Sequence, residues 1–103
     1  MRFVNLTPHD IVLNDGRVFP SEGTARVSST HTAFDENGIC SVSFGEVEGL
    51  PAPEEDTIYI VSAMVAARAA AAGRTDVVSP ATGHKECVRE AGQIKSVPGF
   101  VRA

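Results

Sequence analysis

The sequence predicts an α+β fold: a mainly antiparallel, curled or barrel-like sheet with one principal alanine-rich helix over about residues 62–73. Three observations predict it. The first half of the chain is a series of short alternating runs broken by turn residues. One segment, Thr57 to Pro80, reads as strand, helix, strand with punctuation at each joint. No second such unit follows, so a doubly wound Rossmann arrangement fits poorly. At 103 residues the chain has room for one core, and residues 1–103 are expected to form a single domain.

Taken in order, Arg2-Phe3-Val4-Asn5-Leu6 alternates as a strand does, and Thr7-Pro8 breaks it. Ile11-Val12-Leu13 resumes extended chain. Asn14-Asp15-Gly16 then signals a tight turn before Arg17-Val18-Phe19, predicting a hairpin. Pro20-Ser21-Glu22-Gly23 turns the chain again into a strand over Thr24-Ala25-Arg26-Val27. The polar stretch Ser28 to Thr32 reads as irregular, Asp35-Glu36-Asn37-Gly38 as a turn, and Ile39 to Phe44 as another alternating strand. Gly45 to Asp56 holds two prolines, two glycines and five carboxylates, so it is expected to be a surface loop.

Thr57-Ile58-Tyr59-Ile60-Val61 is β-branched and aromatic, as a buried strand should be. Ser62 can cap a helix through its hydroxyl, Met64 to Ala72 is rich in helix formers, and Gly73 supplies a left-handed stop. Asp76 to Ser79 is extended again, and Pro80 ends it. Glu86 to Val97 suggests a hairpin around Ala91-Gly92, and Phe100-Val101-Arg102 a terminal strand. The expected total is about six to eight strands and one helix.

Lys+Arg 9 against Asp+Glu 13 gives a net charge of -4, which argues against unspecific nucleic-acid binding. Cys40 and Cys87 are far apart, without CxxC spacing, and no secretory signal precedes them. They are expected to be reduced, buried thiols in a cytoplasmic protein. The longest apolar stretch, near Tyr59 to Ala72, is interrupted by Ser62 and Arg68 and is too weak to span a bilayer, predicting a soluble protein with no membrane partner.

Four segments taken together carry a resemblance. Asn5-Leu6-Thr7-Pro8-His9, Phe44-Gly45-Glu46-Val47-Glu48-Gly49-Leu50-Pro51, Tyr59-Ile60-Val61-Ser62-Ala63 and Gly99-Phe100-Val101-Arg102 resemble small accessory proteins encoded by phages and prophages. The resemblance runs over most of the chain. It implies an intracellular protein that acts by binding, either occluding a host protein or sequestering a defence nucleotide, and it transfers no active site and no cofactor.

Six residues are candidates for a ligand site. Pro8 restricts Thr7 to extended backbone, so His9 leaves the first strand in a defined direction and could act as a base or donate to a phosphate. Equally, it could serve only to brace the corner. Ser62 opens the helix, where free backbone N–H groups favour an anion. Glu46 is expected at a strand end. Arg26, Arg68 and Arg74 carry guanidinium forks suited to phosphate, although Arg68 could equally lie along a solvent-facing stripe and Arg74 favour the helix C-terminus. Arg74 stands about 15 Å along the helix from its anion-attracting end, too far to share one small ligand within a subunit. The expectation is that His9, Glu46 and Ser62 converge, with an arginine from the same or a neighbouring subunit. No histidine or cysteine spacing suggests zinc.

The alanine run permits close helix–helix approach and favours a homo-oligomer. Three functional classes stay open: a binding protein for a nucleotide-like anion, a protein–protein interaction module that inhibits a host protein or joins a phage assembly, and a small hydrolase-like enzyme using His9 and Glu46.

Overall fold

A computed structural model describes residues 1–103. It contains one helix, α1 (Ala63–Ala71), and ten strands: β1 (Arg2–Asn5), β2 (Ile11–Val12), β3 (Val18–Phe19), β4 (Arg26–His31), β5 (Val42–Glu48), β6 (Thr57–Ile60), β7 (Val77–Pro80), β8 (Val88–Glu90), β9 (Gln93–Ser96) and β10 (Phe100–Arg102). The fold is α+β and mostly β. The strands form a four-stranded sheet in the order β1-β6-β7-β10 and three two-stranded ribbons, none of which closes on itself. Within the central sheet β1, β6 and β7 run parallel, and β10 pairs antiparallel with β7. Every ribbon is antiparallel.

The central sheet is covered on both faces, which is why β6 reads as a nearly continuous apolar run rather than an alternation. Tyr59 and the following Val61 face one way and join Val4, Leu6, Val77 and the helix residues Val65, Ala66 and Ala69 in one core. Ile60 faces the other way, with Val78, Ile11, Leu13 and Val97. Phe3, Phe19 and Phe100 pack around this second core with ring centroids 5.4–5.7 Å apart, tying β1, β3 and β10 together. Alanines at positions 66 and 69 let α1 lie close against the sheet, each buried to about the same degree as Val65.

Sequence punctuation sets the helix bounds. The Ser62 hydroxyl accepts from the Val65 amide at 3.4 Å. At the other end Gly73 takes φ +96°, its N–H donating to the Ala70 carbonyl and the Arg74 N–H to the Ala69 carbonyl, each at 3.0 Å. That pair of bonds is a Schellman closure. The two short hairpins also follow their turn residues: Gly16 at φ +95° joins β2 to β3, and Ala91-Gly92 at φ +53° and +80° joins β8 to β9.

Five expectations need correction, the first being the strand count, ten against the six to eight expected. Ser28 to His31 belongs to β4, and Gly45 to Glu48 belongs to β5, so the predicted surface loop begins only at Gly49. Glu46 therefore sits inside a strand and not at its end. The reason lies in the register: β4 and β5 pair along their whole length around a bulge between Val27 and Ser29, and Gly45 has no side chain to collide with Ser28 there. Both strands are polar because most of the ribbon faces solvent on both sides. Finally, Cys40 and Cys87 are free but only half-buried, Cys40 beyond the ribbon tip and Cys87 at the margin of the second core.

Candidate functional site at the carboxyl edge of the parallel strands

Parallel strands that all end on one side create a natural crevice, because each chain must leave the sheet there and turn away. Here the segment after β1, the start of α1 after β6, and the segment after β7 meet at such an edge. They line a cleft of ≈ 400 Å³ together with β9. His9 and Ser62 both face it, as do Thr7, Thr82 and Lys95. The structure thus brings together two of the sequence-derived candidates.

The corner carrying His9 is built by Asn5, which is almost fully buried at 1% exposure. Its Nδ2 donates to the carbonyls of His9 at 2.9 Å and Phe19 at 2.8 Å. Its Oδ1 accepts from the Thr7 amide at 2.9 Å and the Thr7 hydroxyl at 2.7 Å. The Thr7 Oγ1 bonds the same His9 carbonyl at 2.9 Å. The two contacts that reach His9 go to its backbone carbonyl, and its imidazole bonds nothing in the chain. Bracing the corner is the work of Asn5 and Thr7, which leaves the ring at the cleft free to meet a ligand.

Around it the electrostatics are mixed. The amides of Ala63 and Met64 precede the first intrahelical bond, from the Ala66 amide to the Ser62 carbonyl, so the helix start presents partial positive charge. Lys95 adds an ammonium group, paired at 3.1 Å with Glu90, but both side chains are about two-thirds exposed and such a pair holds weakly. Asp10 contributes a carboxylate whose Oδ1 already accepts from the Ser21 amide at 2.9 Å. Lys95 carried no sequence signal. Its place beside His9 depends on the bridge between Leu13 and Val97, a pairing across most of the chain.

The remaining candidates lie elsewhere. Glu46, Arg68 and Arg74 line a second, open groove of ≈ 530 Å³ between β5 and the C-terminal half of α1. The expected convergence of Glu46 with His9 and Ser62 does not occur: the cleft holds one end of α1 and the groove the other. Glu46 and His9 accordingly form no dyad within the chain. Arg26 projects from β4, in register opposite Glu48.

Arg74 is occupied structurally. Its Nε and Nη2 grip both Asp76 carboxylate oxygens at 2.9 and 2.8 Å, and Nη2 also donates to the Pro51 carbonyl at 2.9 Å. The guanidinium carbon stands 6.0 Å from the Tyr59 ring centre. The Arg74 hydrogen bonds pull the Asp76 carboxyl below its usual 3.8, against the opposing effect of burial, and Asp76 in turn raises Arg74. This fork anchors the 49–56 loop to the strand after the helix.

No group of three or more His, Cys, Asp or Glu side chains is assembled that could hold a metal ion. No helix is long and apolar enough to cross a membrane. No family model matches the chain, and neither does any curated protein or solved structure. The architecture defines the class that can be stated: an α+β domain with a ligand-sized cleft at the carboxyl edge of its parallel strands.

Proposed function

We propose that the protein is a small accessory binding protein of the phage or prophage type that captures an anionic, nucleotide-like ligand in the His9–Ser62 cleft. In this reading it acts as a homo-oligomer in the host cytoplasm and performs no chemistry on what it holds. The observation that carries the reading is the arrival of an unbonded imidazole, a weakly held ammonium and the first amides of α1 at one cleft. A volume of ≈ 400 Å³ lies within the roughly 300–1,000 Å³ of ordinary small-ligand sites. Phosphate oxygens would accept from the Ala63 and Met64 amides, the Ser62 and Thr82 hydroxyls and Lys95, while His9 donates or stacks. Asp10, acceptor-only when ionised, suits a ribose hydroxyl or base amine and repels a second phosphate.

Calorimetry against mono-, di- and cyclic nucleotides tests this. The expected result is binding of at least one class at micromolar concentration. Failure of every class at high micromolar concentration retires nucleotide capture. It puts ahead the interaction-module reading, which the exposed Phe34 and Ile39 at the end of the β4–β5 ribbon favour independently.

A further inference from the structure

The chain exposes 6812 Å² of surface. A compact monomer of 10.8 kDa exposes about 5,500 Å², so roughly 1,300 Å² is in excess. The radius of gyration agrees: 15.7 Å, where a compact domain of this length has about 13 Å. The molecule measures 51 × 38 × 20 Å. Much of the excess belongs to the β4–β5 ribbon, where only Val27 and Val47 reach the core and the other eleven strand residues are exposed. Two strands alone are marginal in water.

The register shows what the ribbon presents. Ser29 lies opposite Phe44 and His31 opposite Val42, on the face that also carries Val27 and Val47 and looks toward α1. Phe44 is 40% exposed and Val42 44%, and beyond them Phe34 is 72% and Ile39 64% exposed. At the ribbon base this apolar strip runs into the groove beside α1, where Glu46 and Arg68 stand. Arg26, Arg68, Glu46 and Glu48 form no ion pair within the chain.

We propose that a second copy of this chain covers the groove-side face of the β4–β5 ribbon, together with the groove at its base, about a two-fold axis. The inference deepens the homo-oligomer part of the functional reading by naming its surface. Two features select this occupant. The surplus area exceeds the roughly 800 Å² that each partner of a stable interface buries. Glu46 and Arg68 at the groove are unpaired and of opposite sign, so a two-fold axis can set each against its counterpart in the second copy, whereas a partner of one charge sign would meet like charge at one of them. Phe44, at the middle of the strip, supplies the aromatic anchor such an interface needs.

Sedimentation equilibrium of the whole chain tests this with four variants. The wild type should have twice the mass of 10.8 kDa. Phe44→Asp and Glu46→Arg should each weaken association at least ~tenfold while the circular dichroism and melting curve hold, since neither side chain is in the core. Adding Arg68→Glu to Glu46→Arg should restore much of the dimer. Met64→Asp, at the other end of α1, should leave it intact. A monomeric wild type overturns the proposal. So does a dimer that survives both Phe44→Asp and Glu46→Arg, or one that dissociates equally with Met64→Asp. Loss of nucleotide binding alone in any of these proteins bears on the cleft and leaves the interface standing.

Discussion

The Asn5 amide and the His9 carbonyl are joined at 2.9 Å across a corner that neither residue could hold alone. Pro8 limits the backbone there but bonds nothing. Asn5 supplies the constraint from inside the second core, where it also reaches Phe19 and so fixes β3 against β1. One buried polar side chain thereby connects the sheet, a hairpin and the mouth of the candidate cleft.

Replacing Asn5 should therefore be costly. Asn5→Ala removes every bond of a buried amide, strands the Phe19 carbonyl and the Thr7 amide, and leaves the His9 carbonyl only the Thr7 hydroxyl, at about 2–4 kcal/mol. Asn5→Asp keeps the acceptor but turns a second oxygen toward the His9 and Phe19 carbonyls, so it should cost at least as much at neutral pH. Urea unfolding measures both. A cost under about 1 kcal/mol for Asn5→Ala would show that the corner is braced by Pro8 and Thr7 without it.

The Arg74–Asp76 fork predicts how stability changes in acid. The folded Asp76 carboxyl is held below 3.8, chiefly by the Arg74 hydrogen bonds. Its contribution is thus fully present above 3.8 and is lost as the pH falls through the lower folded value. Arg74 is raised above its ordinary value, chiefly by the Asp76 hydrogen bonds, so its own contribution persists until strong base and does not affect the acid limb. Asp76→Asn should cost about 1–2 kcal/mol near neutrality, discounted because the two side chains retain some solvent contact, and should flatten the acid side of the stability profile. Asp15 is also lowered, by the Arg17 amide first, so some slope should remain until Asp15→Asn is added. Denaturant midpoints across the acid range check this; an unchanged slope in Asp76→Asn would rule the fork out as its source.

Two glycines separate backbone strain from collision. Gly73 has φ +96° with open space where an added methyl group would sit, so Gly73→Ala should cost about 1 kcal/mol through the left-handed conformation alone. Gly49 has φ +80°, and an added Cβ would meet the Thr24 carbonyl oxygen at 2.8 Å. Gly49→Ala should therefore cost about 2–4 kcal/mol, since both the Thr24–Ala25 backbone before β4 and the loop entrance must shift. Equal shifts in melting temperature would mean that the close approach to Thr24 relaxes freely.

Local punctuation in the chain is legible; long-range pairing is not. Ser62 and Gly73 bracket α1, and Asn14-Asp15-Gly16 and Ala91-Gly92 make their hairpins, because each device acts within a few residues. Ser28 to His31 and Gly45 to Glu48 show no apolar alternation, since their ribbon is wet on both faces and is held by its own ladder around a bulge. Nor does β1 announce that its partner is β6, over fifty residues away and parallel to it. The site divides in the same way. His9 and Ser62 are recognisable because each comes within a few residues of the end of its own strand. The position of Glu46 escapes a local reading because it depends on the register with β4, and that of Lys95 because the Leu13–Val97 bridge and the Ser96–Asn14 hydrogen bond, both spanning most of the chain, bring it to the cleft.

The division of the candidates between two cavities yields the sharpest functional test. If the ligand sits at the carboxyl edge, His9→Ala and Lys95→Ala should each weaken binding about tenfold, as loss of one charge-assisted or polar contact does. Ser62→Ala should weaken binding too, and also destabilise α1 by about 1 kcal/mol as a lost N-cap. Arg68→Ala alters only the other groove and should leave the affinity of a monomeric cleft unchanged, so it serves as the control. Calorimetry with whichever nucleotide class binds the wild type supplies the readout, with melting curves to separate unfolding from loss of contact. Should Arg68→Ala abolish binding while His9→Ala and Lys95→Ala do not, the ligand occupies the groove beside β5, and the carboxyl-edge assignment is wrong.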